Sequence, residues 1–170
     1  MRTHRRNVSI NRRLAGKKAK RQGDQFERII AIHARIQTLN LLKIPMGAKY
    51  IKKRGKKVLM RETSPFDYIM TKKNRGPVFF DAKSVQCDTI SYSSFWDGKS
   101  TQKQLEKLLL LENDGERAGF LIWFRASDRI CFISAHDVAN MKPRTSFGPH
   151  DGLDLGTSES LRLERLWDDL

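Results

Sequence analysis

Residues 77–84 have the sequence PVFFDAKS, an apolar run that ends in an aspartate and a lysine. The tripeptide NRG directly precedes it at residues 74–76, and FDYIM occupies residues 66–70, so the pattern predicts two strands joined by a turn. Side chains alternate along a strand, which places Asp81 and Lys83 on one face. If the turn pairs the two strands, Asp67 lies beside Asp81. An apolar strand rarely ends in two charges without a functional reason.

This arrangement of two aspartates and a lysine predicts a metal-dependent site. Neighbouring carboxylates repel each other, and a divalent cation between Asp67 and Asp81 would remove that penalty. Mg²⁺ suits such a site, because it takes one or two carboxylates together with water and substrate phosphate oxygens. Lys83 could then orient or deprotonate an attacking water and offset charge on a pentavalent phosphorus.

The remaining hydrophobic pattern predicts a single α/β domain. Helical periodicity, apolar runs and turn residues predict helices over 24–39, 100–113 and 158–170, a short helix from His136, and strands at 41–44, 118–124 and 130–135. Helices that alternate in this way with strands indicate a mixed β-sheet flanked by helices.

Positive charge is concentrated in the first half of the chain. The 170 residues carry a net charge of +14, but residues 1–83 hold 23 Lys and Arg against five acids, whereas residues 84–170 hold 10 against 14. Residues 1–22 are predicted to be a disordered basic arm, 23–170 the folded domain, and 46–62 a projecting basic hairpin or loop. The residues expected to contact DNA phosphates are Lys49, Lys52, Lys53, Arg54, Lys56, Lys57, Arg61, Arg12, Arg13, Lys17 and Lys18.

Other features narrow the class of protein. Cys87 and Cys131 are too few for a zinc cluster or a disulfide framework, and they suit reduced thiols. No apolar run approaches 18 residues, and the basic N-terminus has no signal-peptide pattern. We therefore expect a cytoplasmic protein, of a bacterium or of a phage in its host, with nucleic acid as its partner.

The order of short motifs resembles the RecU-type Holliday-junction resolvases of the PD-(D/E)xK nuclease superfamily. The matching motifs, which span roughly residues 23–145, are Gly23-x-x-Phe26-Glu27, Lys43-Ile44-Pro45, Ser64-x-x-Asp67-Tyr68, Phe80-Asp81-Ala82-Lys83, Gln104-Leu105, Gly119-Phe120-Leu121-Ile122 and Ile130-Cys131-Phe132-Ile133. Asp81 stands where that family usually has glutamate, and Lys103 stands where it has histidine. The resemblance implies a restriction-endonuclease-like core and a homodimer that uses Mg²⁺ or Mn²⁺.

The resemblance also implies roles for individual residues. Asp67 and Asp81 would be metal ligands with Glu27 a further acid near the metal, Lys83 would position the water, and Gln104 would belong to the catalytic site. Glu27 and Gln104 each have an alternative, structural role. Glu27 suits the first turn of a helix, where an acid favours the helix dipole. Gln104 ends the sequence Thr101-x-x-Gln104, which is typical of a capping box.

The sequence is therefore compatible with three functions. The resemblance favours an endonuclease that resolves four-way DNA junctions by paired symmetric nicks in recombination and repair. A nuclease of the same fold that cuts linear duplex DNA is the first alternative. A DNA- or RNA-binding protein without catalysis is the second, because it would be equally basic.

Overall fold

The computed structural model describes residues 2–45, 48–53, 56–61, 64–93, 99–141 and 145–168, and the side chains of 16–45, 64–93, 101–141 and 145–168. The helices are α1 (Arg2–Ile36), α2 (Lys99–Asn113) and α3 (Ala135–Asn140), with 3₁₀ turns at Pro149–Asp151 and Leu163–Trp167. The strands are β1 (Asn40–Lys43), β2 (Ala48–Lys53), β3 (Lys56–Arg61), β4 (Tyr68–Thr71), β5 (Val78–Val85), β6 (Ile90–Ser91), β7 (Arg117–Phe124), β8 (Arg129–Ser134), β9 (Ser146–Phe147) and β10 (Leu153–Gly156). No helix among these residues has the length and apolar character needed to cross a bilayer.

A six-stranded mixed sheet forms the centre of the fold, in the order β1-β4-β5-β7-β8-β10. Strands β5 and β7 run parallel, and the other neighbours are antiparallel. The chain between β5 and β7 includes α2, since parallel neighbours need a long crossover connection. The predicted fold class, a mixed sheet flanked by helices, is confirmed.

The two faces of the sheet carry separate hydrophobic layers. On one face, Phe26 and Ile30 of α1 pack with Phe80 and with Trp167 near the C-terminus. On the other face, residues of α2 and α3 pack with apolar side chains of β7 and β8, among them Leu105, Leu108, Val138, Phe120 and Ile133. Strand β7 is buried along most of its length, as its uninterrupted apolar sequence predicts.

The structure differs from the sequence prediction at both ends of the chain. Helix α1 begins at Arg2, so most of the arm over residues 1–22 that was expected to be disordered is helical instead. The segment contains no proline, and Arg, Lys, Gln and Ala are good helix formers. The helix ends at Ile36 rather than at 39. A domain boundary at residue 22 stays a prediction.

The predicted C-terminal helix over 158–170 is largely absent within the described part of the segment. A single 3₁₀ turn, Leu163–Trp167, occurs there. The Gln37 side chain donates to the Leu161 carbonyl at 2.6 Å and accepts from the Glu164 amide at 3.0 Å. The Leu161 carbonyl and the Glu164 amide thus bond to the side chain of Gln37, the residue after α1, instead of to backbone groups of their own segment. This explains why the helical spacing of apolar residues produced no helix.

The basic segment 46–62 was predicted to be a hairpin or a loop, and its described residues form a hairpin. Strands β2 and β3 pair antiparallel, from Ala48 opposite Arg61 to Lys53 opposite Lys56, as a two-stranded sheet of their own. Residues 46–47, 54–55 and 62 lie outside the described part of the chain.

We predict that Gly119→Ala destabilises the fold by about 1–3 kcal/mol, the usual cost of overpacking. A methyl group there would overlap the Ile133 carbonyl oxygen and lie 2.8 Å from Cζ of Phe132. Urea denaturation measures the change. Gly23→Ala is the control, because its methyl would meet nothing within 4 Å and helix propensity favours alanine. Equal stability of Gly119→Ala and the wild type would contradict this packing.

Candidate active site

Asp67 and Asp81 lie side by side where β4 and β5 begin to pair. Tyr68 is opposite Phe80 in the register of the two strands, which places the preceding residue, Asp67, next to Asp81. The Asp67 amide donates to the Phe80 carbonyl at 3.2 Å, and Oδ2 of Asp67 accepts from the Ala82 amide at 3.2 Å. The structure thus brings the two predicted carboxylates together, and their role stays a prediction.

Asp81, Lys83 and Gln104 form a closed polar triad. Nε2 of Gln104 donates to Oδ1 of Asp81 at 2.5 Å, and Nζ of Lys83 donates to Oε1 of Gln104 at 3.0 Å. Lys83 Nζ also makes an ion pair with Oδ2 of Asp81. Strand alternation puts Asp81 and Lys83 on the face that α2 covers, and Gln104 lies on the buried side of α2 beside Leu105.

The capping role considered for Gln104 is not what the structure shows. Helix α2 begins at Lys99, so Thr101 lies within the first turn rather than at the N-cap position. The Gln104 side chain is buried and bonds to Asp81 and Lys83. Its amide therefore holds these two side chains in place.

Glu27 lies on the other side of the sheet. Its neighbour Phe26 packs in the layer that also contains Tyr68, and Oε2 of Glu27 accepts from Nζ of Lys43 at 2.5 Å. Among the described residues, no group of three or more His, Cys, Asp and Glu side chains is arranged to hold a metal. The Glu27 carboxylate also bonds to Tyr68, whose phenol is influenced by Asp67 and Asp81 as well. That Glu27 joins the two aspartates in one ligand set stays a prediction.

Tyr68 is close enough to Glu27, Asp67 and Asp81 for all three carboxylates to act on its phenol. Burial raises the pKa of its phenol well above the usual range, and the carboxylates of Glu27, Asp67 and Asp81 raise it further. The Tyr68 ring stacks on Phe80 with centroids 5.3 Å apart.

The sequence reasoning assigned no role to Lys43, which pairs with Glu27, or to the Ala82 amide, which donates to Asp67. The only sequence signal for them was their position within two of the quoted motifs.

Asp81 is held in an environment that disfavours its charge. Its side chain is 0% exposed, and burial raises its pKa to about 7, an effect that Lys83 opposes and Asp67 reinforces. Oδ2 of Asp81 is buried and accepts no well-aligned hydrogen bond, although the Lys83 ammonium contacts it. Two neighbouring carboxylates, one of them buried, are a donor set that fits a hard cation such as Mg²⁺. The residues present therefore fit the predicted metal.

The predicted DNA-binding residues lie on two elements outside the sheet. Lys17 and Lys18 are exposed on α1, and Arg12 and Arg13 belong to the same helix, although their side chains are not described. Lys49, Lys52 and Lys53 belong to β2, and Lys56, Lys57 and Arg61 to β3, whereas Arg54 lies outside the described residues. Backbone placement alone is known for the hairpin, so its contact with phosphates stays a prediction.

Comparison with known proteins shows a likeness to solved structures. No protein-family model matches the sequence, and no curated protein sequence matches it either. The fold is similar to the 1.6 Å structure of Archaeoglobus fulgidus Hjc, a Holliday junction resolvase from an archaeal hyperthermophile. The TM-score is 0.47 at 14% sequence identity, and the alignment covers 78% of this chain and 95% of that one.

We predict that Mn²⁺ or Mg²⁺ raises the melting temperature and that Asp67→Asn abolishes most of this rise. A ligand at about 100 times its Kd adds roughly 2.7 kcal/mol, or about 5–10 °C for a chain of this size. Thermal denaturation with and without the metal measures the shift. Glu106→Gln, an exposed acid on α2, is the control and should keep the rise. Glu27→Gln tests the predicted third ligand and should reduce the rise if Glu27 joins the metal, and no shift in the wild type would argue against the metal site.

Proposed function

We propose that the chain is a divalent-metal-dependent endonuclease that resolves four-way DNA junctions by paired nicks. The observation that supports it most is the carboxylate pair of Asp67, which is half-buried, and Asp81, which is buried, completed by Lys83 and Gln104 in a chain whose front half carries 23 cations. Acids within a basic surface would repel a phosphate unless a metal lay between them.

Asp67 and Asp81 would hold the metal, Mg²⁺ or Mn²⁺. When bound, it supplies positive charge for the scissile phosphate and lowers the pKa of the attacking water. The Lys83 ammonium lies on the same strand face as Asp81, partly exposed, where it can orient the water and stabilise charge on the phosphoryl oxygens. Gln104 is a positioning residue, because its amide bonds to both Asp81 and Lys83.

The basic elements would supply affinity. Phosphate contacts by the β2–β3 hairpin and α1 would hold the DNA without reading its sequence, so branch shape would select the substrate. Symmetric nicking of a four-way junction needs two active sites related by a two-fold axis, which makes a homodimer part of the proposal. The products would carry 5′-phosphate and 3′-hydroxyl ends. Recombination and repair in the cytoplasm of a bacterium, or of a phage-infected host, would be the setting.

We predict that wild-type protein in Mg²⁺ nicks a labelled four-way junction and leaves linear duplex of matched sequence largely intact. Asp67→Asn and Lys83→Ala should each lower the single-turnover rate by roughly 10²–10³, the usual cost of removing charge stabilisation from a transition state. Junction binding, measured by gel shift, should persist in both variants. Lys107→Ala, an exposed lysine on α2, is the matched control and should cut normally.

Other results would favour the alternatives. Equal cleavage of linear duplex would indicate a nuclease of another substrate class. Intact junctions with wild-type protein over a broad pH range and in both metals would exclude the enzyme and leave a binding protein.

We also predict that replacing Lys52, Lys53, Lys56 and Lys57 together by glutamine weakens junction binding and flattens its salt dependence. If all four contact phosphates, the slope of log K against log salt falls by about 3–4. Fluorescence anisotropy at several salt concentrations measures it. Lys73→Gln with Lys107→Gln, exposed lysines outside the hairpin and α1, is the control. An unchanged slope in the fourfold variant would remove the hairpin from the interface.

A further inference from the structure

A cleft continues from Lys83 along the α2-covered face of the sheet. Its volume is about 530 Å³, within the range of small-molecule sites. It lies between the C-terminal half of β5, the two-stranded sheet of β6 and β9, and the first turn of α2. The residues that define it are Lys83, Val85, Cys87, Ile90, Thr101 and Ser146.

The lining combines an apolar part with hydroxyl groups. Val85 and Ile90 belong to the hydrophobic layer under α2, and Ile90 is buried. Thr89, Thr101 and Ser146 add hydroxyls that can donate and accept hydrogen bonds. Among the described residues that line the cleft, Lys83 is the only charged one.

This chemistry favours a nucleobase over a phosphate group. A phosphate oxyanion would be better served by several cations and amides, whereas a base needs apolar surface for its ring and hydrogen-bonding groups for its edge. A base at the branch point of a junction is also the least costly to unpair and unstack. Because Lys83 belongs both to the cleft and to the catalytic cluster, the base would come from a nucleotide next to the phosphate held there.

We propose that this cleft binds the nucleobase beside the scissile phosphate and thereby gives the enzyme a cleavage-site sequence preference. The inference rests on the proposed junction cleavage. Phosphate contacts by the basic elements carry no sequence information, so the cleft would supply the specificity that they lack.

A cysteine thiol in the cleft allows base binding to be tested by chemical labelling. Cys87 lines the cleft and is exposed, whereas Cys131 is buried and burial raises the pKa of its thiol to about 12. A maleimide at neutral pH should therefore alkylate Cys87 alone, which mass spectrometry of the labelled chain would verify.

The first experiment measures occupation of the cleft without cleavage. Maleimide labelling of wild-type protein is followed in EDTA, with an intact junction and with a junction whose nucleotides at the branch are abasic. We expect the intact junction to slow labelling roughly 10-fold, because a base bound in the cleft covers the thiol. The abasic junction, bound to saturation, should slow it less than about twofold, since phosphate contacts dominate affinity. Equal protection by both junctions, or protection by neither, would overturn the proposal.

The second experiment measures sequence preference. A pool of junctions with randomised branch nucleotides is cut by untreated wild-type protein and by protein labelled at Cys87. The matched control is wild-type protein exposed to maleimide that has already been quenched with excess free thiol. We expect untreated and control wild type to share one preference, and labelled protein to lose it while its Kd changes less than about twofold. An unchanged preference after labelling would overturn the inference and leave the proposed nuclease standing. No cleavage at all by wild type would refute the proposed function, and with it the inferred preference, while the labelling experiment would still show whether a base enters the cleft.

Discussion

The buried carboxylate of Asp81 is the constraint on which the rest of the site depends. An ionised carboxylate taken out of water is strongly destabilising unless it is paired and hydrogen-bonded. Here Gln104 bonds to one oxygen and the Lys83 ammonium contacts the other, while burial raises the pKa of the Asp81 carboxyl. The second carboxylate, Asp67, adds to this unfavourable field. A cation bound between the two carboxylates would reduce this electrostatic repulsion.

The sheet gives this arrangement its rigidity. Asp81 lies in β5, between an antiparallel neighbour that positions Asp67 and a parallel neighbour, β7, that is buried on both faces. Helix α2 follows β5 in the crossover and returns over the same face, which brings Gln104 onto Asp81 across 23 residues of chain. Side chains held by a sheet and a packed helix keep their geometry better than side chains on loops.

The two faces of the sheet have different chemistry. The face under α1 is mainly a hydrophobic layer, and its acid, Glu27, is neutralised locally by Lys43. The face under α2 carries the polar triad and the cleft beside it. Cations predicted to hold DNA belong to α1 and to the β2–β3 hairpin, outside the sheet, so binding and chemistry would be carried by separate elements.

Local patterns in the sequence were sufficient for β1, β4, β5, β7 and β8 and for the pairing of Asp67 with Asp81, because a short turn and the two-residue period of a strand act over few residues. They also placed Lys83 on the face of Asp81. They did not predict β10, the strand at the other edge of the central sheet, or the short strands β6 and β9. Only the tertiary structure decided that Gln104 closes the triad rather than caps a helix, and that α1 and α2 cover opposite faces of the sheet. Which side of a sheet a helix covers depends on packing between distant segments, which helical periodicity does not encode. For the same reason the cleft beside Lys83 could not be predicted, since its walls come from three parts of the chain that meet only in the folded protein.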